Sequence, residues 1–240
     1  MPQLVYIPIH AVLFDFDGTM VDTKRFYFEL AAHSLQTDPE KLISLADEIY
    51  FSNLSPEERN VKWKIVKAIY RVARELGYNR FQTIKSINYV RKNHSKLFSQ
   101  AKPTRDAPVA IKRLNTAGIK LAIISLTSRG KIQSFLKTHL KGSKFFSSDR
   151  ILAAGEYKNK ELAIVHFLRK FNLTDTPRSC AIVGDLGGDI LAGKTIGITT
   201  FGLTTGYSNY ETLEKTFPDA IYETLLEMEK SIHLFLTEER

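Results

Sequence analysis

The chain has 240 residues, 43% of them hydrophobic and 25% charged, which supplies a core for one large unit or two modest ones and excludes a disordered chain. Its 34 Lys and Arg against 26 Asp and Glu give a net charge of +8, by itself only a weak pointer to an anionic partner. A lone cysteine, Cys180, excludes an intrachain disulfide and suits a reducing cytoplasm, and no run of about 18 apolar residues offers a membrane span.

The segment from Leu4 to Phe14 is apolar, but Pro8 and His10 break it and no basic residues precede it, so it does not read as a signal peptide. Whether Tyr6-Ile7-Pro8-Ile9 lies on a sheet edge or on a second subunit is open. Ala11-Val12-Leu13-Phe14 reads as a buried parallel strand, and Asp15-Phe16-Asp17-Gly18-Thr19 as the loop at its carboxyl end, where open α/β sheets place their sites. At strand spacing Asp15 and Asp17 project from one side. Such a pair retains a proton or takes a cation.

From Thr23 the apolar spacing becomes helical. Asp38-Pro39-Glu40 opens a helix with Leu42, Leu45, Ala46 and Ile49 on one face. Ser55-Pro56-Glu57-Glu58 has the form of a capping box for a helix with the stripe Val61, Ile65, Ala68, Ile69, Val72 and Leu76, ending at Gly77. Phe81 to Phe98 forms another helix through Ile84, Ile87 and Val90. The expectation is an all-helical cap over residues 23–102, inserted into an α/β core made of 1–22 and 103–240. This insertion holds 15 Lys and Arg against 8 Asp and Glu. Trp63, Tyr70 and Tyr89 are available there for stacking on nucleic acid, but they are expected to pack the cap or line its underside, and no nucleic-acid partner is expected.

Beyond Pro103 helices and strands alternate: helix Ala107–Thr116, strand Lys120–Ser125, helix Ile132–Leu140, a loop through Gly142-Ser143, short strand Arg150–Ala153, helix Lys160–Phe171, strand Cys180–Val183, short helix Ile190–Lys194, strand Ile198–Phe201 and a last helix Tyr222–Phe235. This rhythm specifies an α/β fold, a doubly wound, Rossmann-like parallel sheet. Three strand ends then carry groups suited to a phosphoryl group: Asp15 with Asp17, Ser125, and Asp185 with Asp189. A lysine at a helix start, Lys160 in preference to Lys158, stands between the second and third.

That ordered set resembles the haloacid dehalogenase superfamily, in its phosphatase branch with a helical cap after the first motif, as in phosphoglycolate phosphatase and beta-phosphoglucomutase. Asp15-Phe16-Asp17-Gly18-Thr19 is similar to the first motif, Ser125 to the second, the lysine to the third and Gly184-Asp185-x-x-x-Asp189 to the fourth; Thr204–Ser208 and Pro218-Asp219-Ala220 look like the C-terminal region. The resemblance implies a Mg²⁺-dependent phosphomonoesterase acting on a small phosphorylated substrate through an aspartyl-phosphate on Asp15, with Asp17 as acid and base. It further implies metal ligation by Asp15, Asp17 through its carbonyl, and Asp185, with Asp189 at the metal's waters. Phosphate would be held by Phe16, Thr19, Ser125, Leu126 and Lys160. Leu126 stands where relatives often have Asn, so its backbone N–H would serve. A sugar-phosphate mutase and a non-catalytic phospho-ligand binder are the alternatives, and a cytoplasmic monomer or homodimer with no membrane partner is expected. Carbon–halogen cleavage is disfavoured by Asp17. Gly188-x-x-x-x-Gly193-Lys194-Thr195 fits the P-loop expression but lacks the strand before and the helix after it. Asp15-x-Asp17-Gly18 lacks the ligand spacing of an EF-hand.

Overall fold

A computed structural model describes residues 8–140 and 144–237. Six strands form one parallel sheet: β1 Ala11–Phe14, β2 Lys120–Ile124, β3 Ile151–Leu152, β4 Cys180–Gly184, β5 Thr199–Leu203 and β6 Ala220–Tyr222, in the order β3-β2-β1-β4-β5-β6. β1 lies centrally, pairing Phe14 with Ile123 on one side and Val183 on the other. The strands are short apolar runs because both faces are covered. Val12, Phe14, Leu121, Ile123 and Val183 belong to one core cluster. It is shared with α5 Ala107–Thr116, α6 Arg129–His139 and α10 Leu225–Thr237. The alternate residues Ala11, Leu13, Ala122, Ile124 and Ile182 face α7 Lys160–Lys170 and α8 Gly187–Ile196. The period of two in the side chains thus divides the core between the two faces.

Between β1 and β2 the chain forms α1 Thr23–Leu35, α2 Pro39–Ile49, α3 Lys62–Glu75 and α4 Arg80–Leu97. It leaves and returns by adjacent extended segments: Asp22 N donates to Lys102 O at 2.9 Å and Thr104 N to Met20 O at 3.0 Å. Asp22 then caps α1 by accepting from Arg25 N, and Asp38 caps α2 by accepting from Glu40 N. The apolar core runs without a break from the sheet into these helices. Phe16 packs on Phe98 and Phe135, with ring centroids 6.3 and 5.3 Å away, and Phe98 in turn meets Phe26.

Several elements differ from the sequence expectation. Ser55–Glu58 is a turn, and α3 begins only at Lys62 with no side-chain cap. The Ser55 hydroxyl is spent on the Glu57 carboxylate, and the Glu58 carbonyl accepts from Gly188 N at 2.9 Å, so tertiary contact decides this segment. In α4 the buried face is Thr83, Ser86 and Val90, whereas Phe81 and Ile84 are exposed. Leu76 is exposed as well, at the end of α3. Trp63 is 77% exposed and Tyr70 40% exposed, so neither packs the helices; only Tyr89 does, against His33. Tyr222 ends strand β6, and the last helix starts at Leu225. The short helix α9 Tyr210–Glu214 and β6 itself are too brief for periodicity to signal. Residues 6–7 and Gly142-Ser143 lie outside the described residues; Ile9 is buried in the core.

Candidate active site

The site lies at the carboxyl ends of β1, β2 and β4. Asp15 follows β1, its N–H bonded to Val183 O at 2.8 Å, and is 5% exposed. Asp185 and Asp189 follow β4 and are buried. One oxygen from each of Asp15, Asp185 and Asp189 falls within a group whose atoms lie within 4.8 Å of one another. Lys160, at the first turn of α7, donates to Asp15 Oδ1 at 2.5 Å and also to Asp189 Oδ1. The alternative, Lys158, is exposed.

Surrounding groups hold these carboxylates in place. Asp185 accepts from Thr19 Oγ1 at 3.2 Å and Tyr207 N at 2.9 Å, and Asp189 from Leu186 N at 3.3 Å. Gly18 is at φ +86°, and a Cβ there would stand 2.3 Å from the Asp185 carboxylate, so only glycine fits both the turn and the approach. Burial raises Asp15 well above the usual carboxylate range; the Lys160 ammonium opposes this, while Asp189, Asp185 and Asp17 add to it. Asp185 is pushed up to about 7, by burial and then by Asp189. Burial alone would lower Lys160, but Asp15 and Asp189 outweigh it and hold the ammonium charged. The arrangement is short of positive charge, as three buried carboxylates face one ammonium. Its hard oxygen donors fit a divalent cation such as Mg²⁺.

Asp17 stands apart from that cluster. Its Oδ2 accepts from Thr127 Oγ1 at 2.5 Å. Burial raises its pKa, opposed by the Thr127 hydrogen bond and by Lys62, Lys160 and Lys131. Asp15, Asp17 and Lys160 line a cavity of about 40 Å³, with Leu126 and Tyr207 from loops that follow sheet strands. Tyr27 of α1, and Arg59, Asn60 and Lys62 leading into α3, close the opposite side. Lys62 Nζ donates to Leu126 O at 2.7 Å, and Arg59 pairs with Glu161 at 2.6 Å.

The expected residues therefore meet, in differing ways. Ser125 is buried beside the site, its hydroxyl accepting from Thr127 N at 2.9 Å. Leu126 does present itself at the cavity wall. Thr19 was expected to meet phosphate, but its hydroxyl is turned onto Asp185 and the residue is fully buried. The Phe16 side chain belongs to the aromatic core, so only its backbone can face the site. Sequence reasoning missed Thr127, although a second hydroxyl two residues after Ser125 was a usable signal. It also missed Arg59 and Lys62, for which no local signal exists. The P-loop expression is rejected by the structure: Lys194 lies inside α8 and donates to the carbonyls of Thr216 and Phe217.

The sequence profile of the haloacid dehalogenase-like hydrolases matches residues 12–203. A Clostridium perfringens protein named as pyrophosphatase PpaX is 26% identical over 92% of this chain and 95% of its own length. Phosphoglycolate phosphatase of Synechococcus elongatus is 23% identical over 90% of this chain and 93% of its own. The fold matches a HAD family hydrolase from Deinococcus radiodurans, crystallised with bound phosphate and sodium, at a TM-score of 0.69, 16% identity and coverage of 95% and 97%. With the profile spanning most of the chain, the chain belongs to the haloacid dehalogenase-like hydrolase family and is an enzyme of phosphatase type.

Proposed function

We propose that the protein is a Mg²⁺-dependent phosphomonoesterase that hydrolyses a small phosphorylated metabolite through an aspartyl-phosphate on Asp15. The observation that carries this reading is the unequal treatment of the two aspartates. Asp15 is held by Lys160 within the carboxylate group, and Asp17 is held by the Thr127 hydroxyl outside it. Burial pushes both carboxylates towards protonation; Lys160 together with a bound divalent cation would keep Asp15 ionised to attack phosphorus, while Asp17, outside that group, gives its proton to the leaving oxygen. Asp15, with one oxygen on Lys160, uses the other to form the bond to phosphorus while the ester oxygen departs with the Asp17 proton. Asp17 then takes a proton from water, whose oxygen attacks the same phosphorus and releases Asp15. Mg²⁺ held by Asp15, Asp185 and Asp189, with the Asp17 carbonyl, would supply charge neutralisation for the phosphoryl oxygens. The backbone of Phe16 and Leu126, Ser125 and Lys160 would hold those oxygens as charge develops.

The helices of residues 23–102 act in this reading as a cap on a core of 1–22 and 103–240. Arg59 and Lys62 face the cavity from the cap side, which favours a leaving group bearing its own negative charge. The names of the relatives, a pyrophosphatase and a phosphoglycolate phosphatase, point the same way. Phosphate release from a panel containing pyrophosphate, phosphoglycolate and phosphosugars, run with and without EDTA, tests it. Free phosphate without an isomerised phosphosugar is expected, and both Asp15→Asn and Asp17→Asn should abolish it with the fold kept. Clear turnover by Asp15→Asn, free of deamidation, would overturn the mechanism.

A further inference from the structure

The α3–α4 hairpin is the most unbalanced part of the chain. From Lys62 to Leu97 it holds ten Lys and Arg against one acidic residue, Glu75. Inward, α3 buries Ile65, Ala68, Ile69, Val72 and Ala73. At 3.6 residues per turn, Trp63, Lys67, Tyr70, Arg71 and Arg74 fall together on the opposite side, within an arc of about 100°. All five are exposed, Trp63 at 77%, and neither Lys67 nor Arg71 forms an ion pair among the described residues. Trp63, the only tryptophan of the chain, thus exposes a large apolar surface. None of these five residues lines the carboxylate cavity.

We propose that this outer face of α3 binds single-stranded nucleic acid, with Trp63 and Tyr70 stacking on bases and Lys67, Arg71 and Arg74 meeting phosphates. The two rings stand seven residues apart, about 10.5 Å along the helix, with the cations interleaved between and beside them. Interleaving distinguishes this surface from a membrane-binding helix, which segregates apolar and basic side chains onto separate faces. Every base offers a π-face and every nucleotide a phosphate, so the stripe would accept many sequences. A duplex hides its base faces and would gain only the charge term. The surface is independent of the phosphatase reading, because the site's carboxylates play no part in it.

The test uses the full-length protein and a mixed-sequence single-stranded RNA of about 20 nucleotides, long enough to span the site sizes of such surfaces. Saturable quenching of Trp63 emission is expected at low salt, with log K falling against log salt at a slope of about −2, since three cations release about 0.7 ion each. By polarisation of a labelled strand, Trp63→Ala should weaken binding about ten-fold. The triple variant Lys67→Glu, Arg71→Glu, Arg74→Glu should lose it, while both variants keep wild-type hydrolysis of p-nitrophenyl phosphate. Asp15→Asn should bind as wild type does. The proposal fails if emission is unchanged by oligonucleotide, if duplex binds equally well, or if Asp15→Asn loses binding. It also fails if phosphatidylserine vesicles, and not oligonucleotide, shift the emission. Should the triple variant misfold, Lys67→Gln and the salt slope decide the same question.

Discussion

Lys160 sits between Asp15 and Asp189, and its charge opposes the rise that burial imposes on Asp15. Asp185 forms no such ion pair among the described residues and is pushed up to about 7, by burial and then by Asp189. A carboxylate whose pKa is raised by folding contributes stability at low pH, and that contribution is lost as pH rises through the folded value. Metal-free protein should therefore lose stability between about pH 4 and 7, the window from the ordinary Asp value to that of Asp185. Because ligation requires ionised oxygens, added Mg²⁺ should raise Tm more at pH 8 than at pH 5. Differential scanning fluorimetry with Mg²⁺ or EDTA across this range checks both signs; a metal effect larger at pH 5 would contradict them. Thr127 makes a second residue-scale prediction. Removing its hydroxyl leaves Asp17 without the donor that now fixes its orientation. Thr127→Val should lower kcat about ten-fold or more with little change in KM, since a hydrogen bond to a charged group is worth about 1.5–3 kcal/mol. Thr127→Ser should recover most of the rate.

At the scale of elements, the loop before α3 meets the start of α8 in close backbone contact. Gly188 N donates to Glu58 O at 2.9 Å, and a Cβ on Gly188 would lie 2.7 Å from that oxygen and 2.6 Å from Arg59 Cγ. Glycine here costs α8 helix propensity but allows two backbones to touch. Gly188→Ala should hold the loop away from the site, carrying Arg59 and Lys62 with it. The expected result is a Tm lowered by loss of the Gly188 N–Glu58 O bond, with kcat/KM for anionic substrates down about ten-fold or more, the equivalent of about 1.4 kcal/mol of transition-state binding. Steady-state kinetics well below the lowered Tm separate this from simple destabilisation, which would leave the kcat/KM of the folded enzyme unchanged.

For the molecule as a whole, the continuous apolar core joins the sheet face to the helices of residues 23–102. Phe98 is the link, 4% exposed and in ring contact with both Phe16 and Phe26. Phe98→Ala should remove about 3–5 kcal/mol of stability by opening a cavity at this seam. Denaturant unfolding followed by circular dichroism measures the loss. The wild type should unfold in one calorimetric transition, because neither part can expose the seam without leaving the other's apolar surface bare. Two resolved peaks would show the seam to be weaker than its packing suggests.

Much of this organisation is legible in the residues themselves. The strands Ala11–Phe14 and Cys180–Gly184, the helices α2 and α7, and the ordering of Asp15, Ser125, Lys160 and Asp185 along one sheet edge follow from period, capping and βαβ connectivity, all of which are local or topological rules. Lys160 could be preferred to Lys158 because it lies 25 residues before Asp185, a span that suits a helix, a loop and a strand. What the sequence could not determine depends on which surfaces meet. The Ser55–Glu58 segment matched a helix cap until Gly188 claimed its carbonyl. Thr19 matched a phosphate ligand until Asp185 took its hydroxyl, and Trp63 matched core until its helix turned it outward. The carboxylate pair at Asp15 and Asp17 was visible as a pair, but its division into a Lys160-side and a Thr127-side group was decided by tertiary structure alone, because pKa and orientation depend on burial and on neighbours more than a hundred positions away in the chain.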